Sequence, residues 1–334
     1  MHNKLNTCTQ PTALDTCVQP PAEKADLLAK PDMSVTFAGL SCKNPVNTAS
    51  GTYGQGCQFE PFYDVSVLGA ITTKGCSAEP WEGNPAPRTA EITAAIINSV
   101  GLENPGVEAF SKTYGEYLTA LAVKGTRIIV QAVGHTLEEY IESVEKYEEF
   151  VPFADAIELN VSCPNVSAGG AAMGGTPSGA AGVVQAVRSR TKRPLIVKMA
   201  PVNIAEIARA LEAAGADGLS LINSIPGMAI DVHTRRSRLA RPVAGVSGPA
   251  IHNIAVRMVW EAYKACKLPL CGIGGIMTGE DAAEFILAGA TLVSVGTANM
   301  VDPTSAPRIL SELEAWVASQ GVSSITELIG AFEC

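Results

Sequence analysis

Eight times between residues 45 and 295 the sequence repeats one pattern: a short aliphatic run, then Gly, Asn or Ser, then a stretch with helical spacing. The runs are Pro45–Ser50, Gly69–Lys74, Arg127–Ala132, Ala154–Asn160, Pro194–Met199, Gly218–Asn223, Pro269–Ile273 and Thr291–Val295. A run that is apolar throughout, rather than alternating, is a strand covered on both faces, and such strands joined by helices form a parallel sheet. Eight of these units in about 300 residues predict an α/β fold of the closed kind, a (β/α)8 TIM barrel, and not an open doubly wound sheet. Two helix starts are explicit. Thr136-Leu-Glu-Glu139 reads as a capping box, with Ile141, Val144 and Tyr147 or Glu148 following at helical spacing, and Thr278-Gly-Glu-Asp281 opens the apolar stretch AAEFILAGA. Residues 1–33 are polar, carry Pro11, Pro20, Pro21 and Pro31, and show no period, so they are expected to be an N-terminal tail or arm. The single barrel domain is expected to run from 34 to 334.

Composition narrows the function. Lys and Arg number 24 against 33 Asp and Glu, a net charge of −9, which removes the attraction to phosphate backbone that nucleic-acid binding needs. With 47% apolar and 17% charged residues in 334, a large core is available. No run of about 18 apolar residues is present for a membrane span, and the first residues hold no apolar stretch of the kind a secretory signal carries. Nine cysteines, an odd and scattered set without C-x-x-C, fit a reducing cytoplasm better than a disulfide framework. Cys266-x4-Cys271 opens an iron–sulfur spacing, but the next ligand position is Gly274, so no cluster is expected on this chain. The four histidines have no metal spacing, so no metal is expected either. The dinucleotide fingerprint G-x-G-x-x-G fails at Phe59 and at Met277, and no P-loop occurs.

In a barrel of this kind the chemistry sits at the C-terminal strand ends. The polar residues there are Ser50, Lys74, Gln131, Asn160, Lys198, Asn223, the pair Gly274-Gly275, and Gly296-Thr297. Glycine turns can simply end strands. Two of them after strands seven and eight, the first leading into the helix at Thr278, match the place where barrels hold a phosphate on backbone N–H groups. A lone strand-end lysine is ordinarily a surface residue. Lys74 and Lys198 together, beside such a turn, favour an anion or an electron-rich ring, and the pyrimidine edge of a flavin meets that description. Asn160-Val-Ser-Cys163-Pro-Asn165 follows strand four as a shaped loop, since Pro164 forbids continued helix. Cys163 is either a structural thiol or, in this polar loop, a base when ionised. Asn98 in NSVGLENPG reads as an amide on a rigid loop, suited to the alternating donors and acceptors of a pyrimidine. Arg235, Arg236, Arg238 and Arg241 cluster in a loop, read as a solvated patch with substrate steering or a partner contact as the alternative.

These segments (ASGTYG, GNPAPR at 83–88, NSVGLENPG, ELNVSCPN, SLINSIPGMAID, GVSGPAI, GIGGIMTGEDA and VGTANM) resemble the class 1 dihydroorotate dehydrogenases, and among them the catalytic subunit of the NAD-linked type 1B. The likeness runs from about Ser34 to Pro303 and more loosely beyond. It implies an FMN-containing barrel that oxidises dihydroorotate to orotate in pyrimidine biosynthesis. Cys163 would then remove a proton from carbon 5 while a hydride leaves carbon 6 for the flavin. Lys74, Asn98, Gly101, Leu102, Asn160, Asn165, Asn223 and Ser224 would hold substrate. Ser50, Lys74, Gly75, Gln131, Asn160, Lys198, Ile222, Gly248, Gly274, Gly275, Gly296 and Thr297 would hold FMN. At 131 the family usually carries Asn, whereas this chain has Gln. The resemblance further implies a homodimer of barrels in a heterotetramer, with FAD and a 2Fe–2S cluster confined to a partner subunit that passes electrons to NAD. Alternatives are a fumarate-dependent type 1A enzyme, another FMN pyrimidine oxidoreductase, or a non-redox barrel that binds a phosphorylated metabolite.

Overall fold

The computed structural model describes residues 30–162 and 173–333. Cys163 and Asn165, together with most of the expected N-terminal arm, lie outside the described residues. Each of the eight aliphatic runs corresponds to a strand, the last beginning one residue before its run: Val46–Thr48, Ala70–Thr72, Arg127–Ala132, Ala156–Asn160, Leu195–Lys198, Gly218–Leu221, Leu270–Ile273 and Ala290–Val295. From the second to the eighth they pair in parallel with their neighbours in chain order, and the eighth returns to pair with the first. The seam between the first and second strands has no full ladder. It is closed by Gly69 N–H donating to Val46 O at 3.1 Å and by Asn47 Nδ2 donating to Thr72 Oγ1 at 2.9 Å. Side chains alternate along these strands: Asn47, Thr72, Gln131, Glu158, Ser220, Cys271 and Ser294 bond one another inside the barrel, whereas Ile71, Val130, Ile157, Val197, Leu219 and Val293, one position away, are fully buried on the outer face against the helix layer.

The crossovers depart from strict alternation. Only a short 3-10 turn, Val65–Val67, lies between the first two strands. The second connection inserts the strands Thr89–Ile92 and Ala95–Asn98 before its helix Val107–Val123, and the sixth inserts Ile225–Met228 and Val243–Ser247. These four pair as an antiparallel sheet, in the order Ile225–Met228, Val243–Ser247, Ala95–Asn98, Thr89–Ile92. Asn98 therefore ends a strand and is not on a loop, and the arginine cluster lies on and beside a small hairpin, Ile230–Asp231 with Arg236–Ser237. Pro226, Gly227 and Gly245 interrupt the apolar period of these segments, so pairing across distant parts of the chain is what makes them strands.

At the opposite end, the hairpin Val35–Phe37 and Leu40–Cys42 sets Phe37 against the start of the sixth barrel strand at Gly218. Asp32 already belongs to the folded body, exchanging backbone hydrogen bonds with Ser323 and Ile325. The helix starts divide. Thr278 and Asp281 form a complete capping box on helix Gly279–Leu287. Thr136 caps helix Leu137–Phe150, but the Glu139 carboxylate accepts from His135 N–H at 2.6 Å and so reaches one residue too far back for a box. Among the described residues no helix is long and apolar enough to cross a membrane.

Candidate active site

A cavity opens between the C-terminal strand ends and the four-stranded sheet, which forms its cover. Of the site residues expected from sequence, Ser50, Lys74, Asn98, Gly101, Leu102, Gln131, Asn160, Lys198, Ile222, Asn223, Ser224, Gly248, Gly274, Gly275, Gly296 and Thr297 all line it. Gly75 does not. It stands behind Gln131, where a Cβ would come within 2.5 Å of the Gln131 Oε1. Ser247, Ile251, Thr89 and Met300 also line the cavity and were not expected. Three of them come from the cover or its border, which sequence periodicity did not reveal.

One wall is a chain of amides. Asn160 Nδ2 donates to Gln131 Oε1 at 3.1 Å, and Gln131 Nε2 donates to the Glu158 carboxylate at 2.6 Å. Ser220 Oγ donates to the other Glu158 oxygen at 2.5 Å. Asn223 Nδ2 donates to Ser162 Oγ at 2.9 Å, while its Oδ1 accepts from Ser224 N–H at 2.8 Å. From the cover, Asn98 Nδ2 donates to Gly245 O at 3.2 Å. Tyr140 and Tyr147 brace this wall from the helix layer through hydroxyls donated to the backbone carbonyls of Asn160 and Gln131. Glu158 and Ser220 went unnoticed in the sequence. A carboxylate in the otherwise apolar run AIELN was the available signal for the first.

The other wall is built of backbone. Gly275 has φ +67, and a Cβ there would stand 2.8 Å from Gly248 O and 2.8 Å from His252 Cβ, so the turn after the seventh strand tolerates no side chain. Among the described residues, the N–H groups of Gly275, Gly296 and Thr297 meet no hydrogen-bond acceptor. Gly275 and Gly296 are half-buried, Thr297 is buried, and all three line the same cavity, so their unused donors suit an anion. Lys198 is 6% exposed, and among the described residues it forms no ion pair. A buried ammonium in that state calls for an electron-rich partner inside the cavity.

All five described cysteines lie away from this lining, and burial raises each thiol above its ordinary range, Cys76 and Cys271 to about 12. None of them is suited to act as a base near neutral pH. Among the described residues no cluster of three or more His, Cys, Asp or Glu is placed to hold a metal.

Fold and site together define a (β/α)8-barrel protein whose covered mouth joins an anion cradle to a wall of amides. Comparison with known proteins places it more closely. A family model described as dihydroorotate dehydrogenase matches residues 32–317. The "Dihydroorotate dehydrogenase B (NAD(+)), catalytic subunit" of Geobacter sulfurreducens is 49% identical over 308 residues, covering 92% of this chain and 100% of that protein. Its namesake from Geotalea daltonii is 48% identical over 309 residues, with the same coverage. A crystal structure of a dihydroorotate dehydrogenase from Eimeria tenella, in complex with ferulenol, has the same fold, with a TM-score of 0.76 over 92% of this chain and 90% of that one, at 23% identity. The chain belongs to the dihydroorotate dehydrogenase family.

Proposed function

We propose that this chain is the catalytic subunit of an NAD-linked dihydroorotate dehydrogenase, which converts dihydroorotate to orotate in pyrimidine synthesis with FMN as its bound cofactor. The observation that carries the reading is that one cavity holds both a glycine cradle with unused N–H donors and a wall of Asn and Gln amides. The full-length likeness to relatives named for this activity supports it.

The residues present fit FMN. Gly248, Gly274, Gly275, Gly296 and Thr297 suit its phosphate, and Lys198 suits the pyrimidine edge of its ring, with Ser50, Lys74, Gln131, Asn160 and Ile222 around it and Gly75 behind Gln131. When bound, FMN supplies the acceptor for the hydride that leaves carbon 6 of the substrate. Dihydroorotate, an anion rich in alternating N–H and C=O groups, matches Lys74 together with the amides of Asn98, Asn160, Asn165 and Asn223, and with Ser224, Gly101 and Leu102. Cys163, directly after Ser162 in the chain, is the base: its thiolate takes the proton from carbon 5, leaving a carbon–carbon double bond between positions 5 and 6. A reducing cytoplasm keeps such a thiol free.

The chain offers no dinucleotide fingerprint, and its relatives are named as catalytic subunits. Transfer to NAD is therefore assigned to a partner subunit carrying FAD and a 2Fe–2S cluster, docked on a homodimer of barrels. The domain assignment starts the barrel body at Asp32, two residues before the boundary expected from the sequence, and leaves the residues before it outside the chemistry.

The test is anaerobic stopped-flow on purified protein. Dihydroorotate, but not dihydrouracil, should bleach the bound flavin, and Cys163→Ala should retain FMN while slowing that reduction by roughly 10²–10⁴-fold. Reduction of the Ala variant at the wild-type rate would remove Cys163 from the mechanism. A colourless wild-type protein that does not take up FMN would remove the reading.

A further inference from the structure

His252 begins helix His252–Ala265 directly behind the anion cradle and is 8% exposed. Its ring is held at both nitrogens: Nδ1 lies 3.1 Å from the carbonyl oxygen of Gly274, and Nε2 lies 3.0 Å from a Glu284 carboxylate oxygen, with Phe285 packed edge-on against the ring. Asp281 Oδ1 faces the same nitrogen from 3.9 Å. The Gly274 carbonyl and the Glu284 carboxylate only accept, so the bonds at Nδ1 and at Nε2 each use a ring hydrogen.

The consequence lies one atom further on. In a planar trans peptide the C=O of residue 274 and the N–H of residue 275 point in opposite directions. Drawing the Gly274 oxygen back toward His252 therefore turns the Gly275 N–H toward the cavity. That N–H is among those with no acceptor in the described residues. Nothing in a Gly-Gly pair, at φ +144 and +67, holds this peptide by sterics, since neither residue has a Cβ to oppose rotation. The next residues of the turn are held separately, by Asp281 accepting from the N–H groups of Met277 and Thr278 at 2.8 and 2.9 Å. The 274–275 peptide depends on His252.

We propose that His252, itself oriented by Glu284, is a positioning residue that locks the Gly274–Gly275 peptide with its N–H toward the cavity, the orientation that a bound phosphate requires. The flipped peptide would present a carbonyl oxygen to the same anion and repel it. The inference rests on the FMN reading of the site and names the side chain on which its phosphate end depends.

The experiment compares FMN with riboflavin, which lacks the phosphate, by fluorescence titration of flavin-stripped protein. His252→Leu should weaken FMN by about 10- to 100-fold, the worth of a hydrogen bond to a charged group, and leave riboflavin unchanged. His252→Asn, whose amide can donate where Nδ1 does, should recover most of the loss. Glu284→Ala, at a half-exposed carboxylate, should lower FMN affinity by several-fold with the same selectivity. Equal losses for both flavins, or wild-type FMN affinity in His252→Leu, would overturn the proposal. Wild-type protein that fails to prefer FMN over riboflavin would instead overturn the phosphate reading of the cradle beneath it.

Discussion

A buried carboxylate decides which way the amides of the cavity wall face. Glu158 is 4% exposed and can only accept when ionised, so Gln131 must present its NH2 to it and its oxygen to Asn160. Asn160 must then give its own NH2 to Gln131, which leaves its Oδ1 for Ser162 and Asn223. The orientation of three neighbouring amides follows from one acid two residues before the strand end. Gly75 is part of the same arrangement, because any Cβ there would take the space of the Gln131 carbonyl. Glu158→Leu should leave the Gln131 NH2 and the Ser220 hydroxyl buried without partners, at about 1–3 kcal/mol each. Urea denaturation should register that loss, and orotate titration should show weaker binding as the amides lose their fixed polarity. Unchanged orotate affinity in a destabilised variant would confine Glu158 to the stability of the barrel.

The cover over the mouth has a small core of its own, separate from the barrel's. Ile97, Ala229, Leu239 and Ala244 form it, with Ala90, Ile92 and Val246 packed around them. Ile97 is fully buried there, and the strand it belongs to ends on Asn98, which lines the cavity. Cutting Ile97 to Ala removes one of the two large members of a four-residue cluster, a change worth about 2–5 kcal/mol in a well-packed site. Because this buried cluster is small and distinct from the barrel's, the cost should appear locally and not as global unfolding. Hydrogen exchange should quicken over residues 95–98 and 243–247 while the barrel strands keep their protection. Substrate KM should rise with bound flavin retained. Uniform acceleration across the barrel would show that cover and barrel unfold as one unit.

Across the whole molecule, burial of acidic protons sets the response to alkali. Burial holds the thiol of Cys42 up at about 11, those of Cys76 and Cys271 at about 12, and the Tyr63 hydroxyl at about 12. Burial likewise raises Tyr53 and Tyr147 well above the ordinary tyrosine range. In the unfolded chain these groups ionise at their ordinary values, near 8.5 for Cys and 10 for Tyr. Above those values the unfolded state has fewer bound protons than the folded one, so stability falls as pH rises. The contribution is fully present below about pH 8.5 and is lost progressively toward the folded-state values, at about 1.4 kcal/mol per pH unit for each thiol inside its window. Urea midpoints measured under reducing conditions should be level from about pH 7 to 8.5 and fall steadily from about 9 to 11. A midpoint that holds level to pH 11 would contradict the burial of these side chains.

The barrel could be read without coordinates because its signal is local and repeated. A strand covered on both faces is apolar over most of its length, as IIV at 128–130 and LIV at 195–197 are, and eight such runs leave one economical closed arrangement. The strand-end residues were legible for the same reason: the position after an aliphatic run is the mouth, so Asn160, Lys198, Gly275 and Thr297 identified themselves by ordinal place. The cover was not legible. Its strands pair segments more than a hundred residues apart, and Gly and Pro break their period, so only tertiary contact makes them a sheet. The same holds for Glu158 and His252, whose residue types say nothing of what they touch. An acid becomes an orienting group, and a histidine a lock on a peptide, only when the closed barrel brings donors and acceptors from separate strands and helices to about 3 Å, a distance that pattern along one chain does not encode.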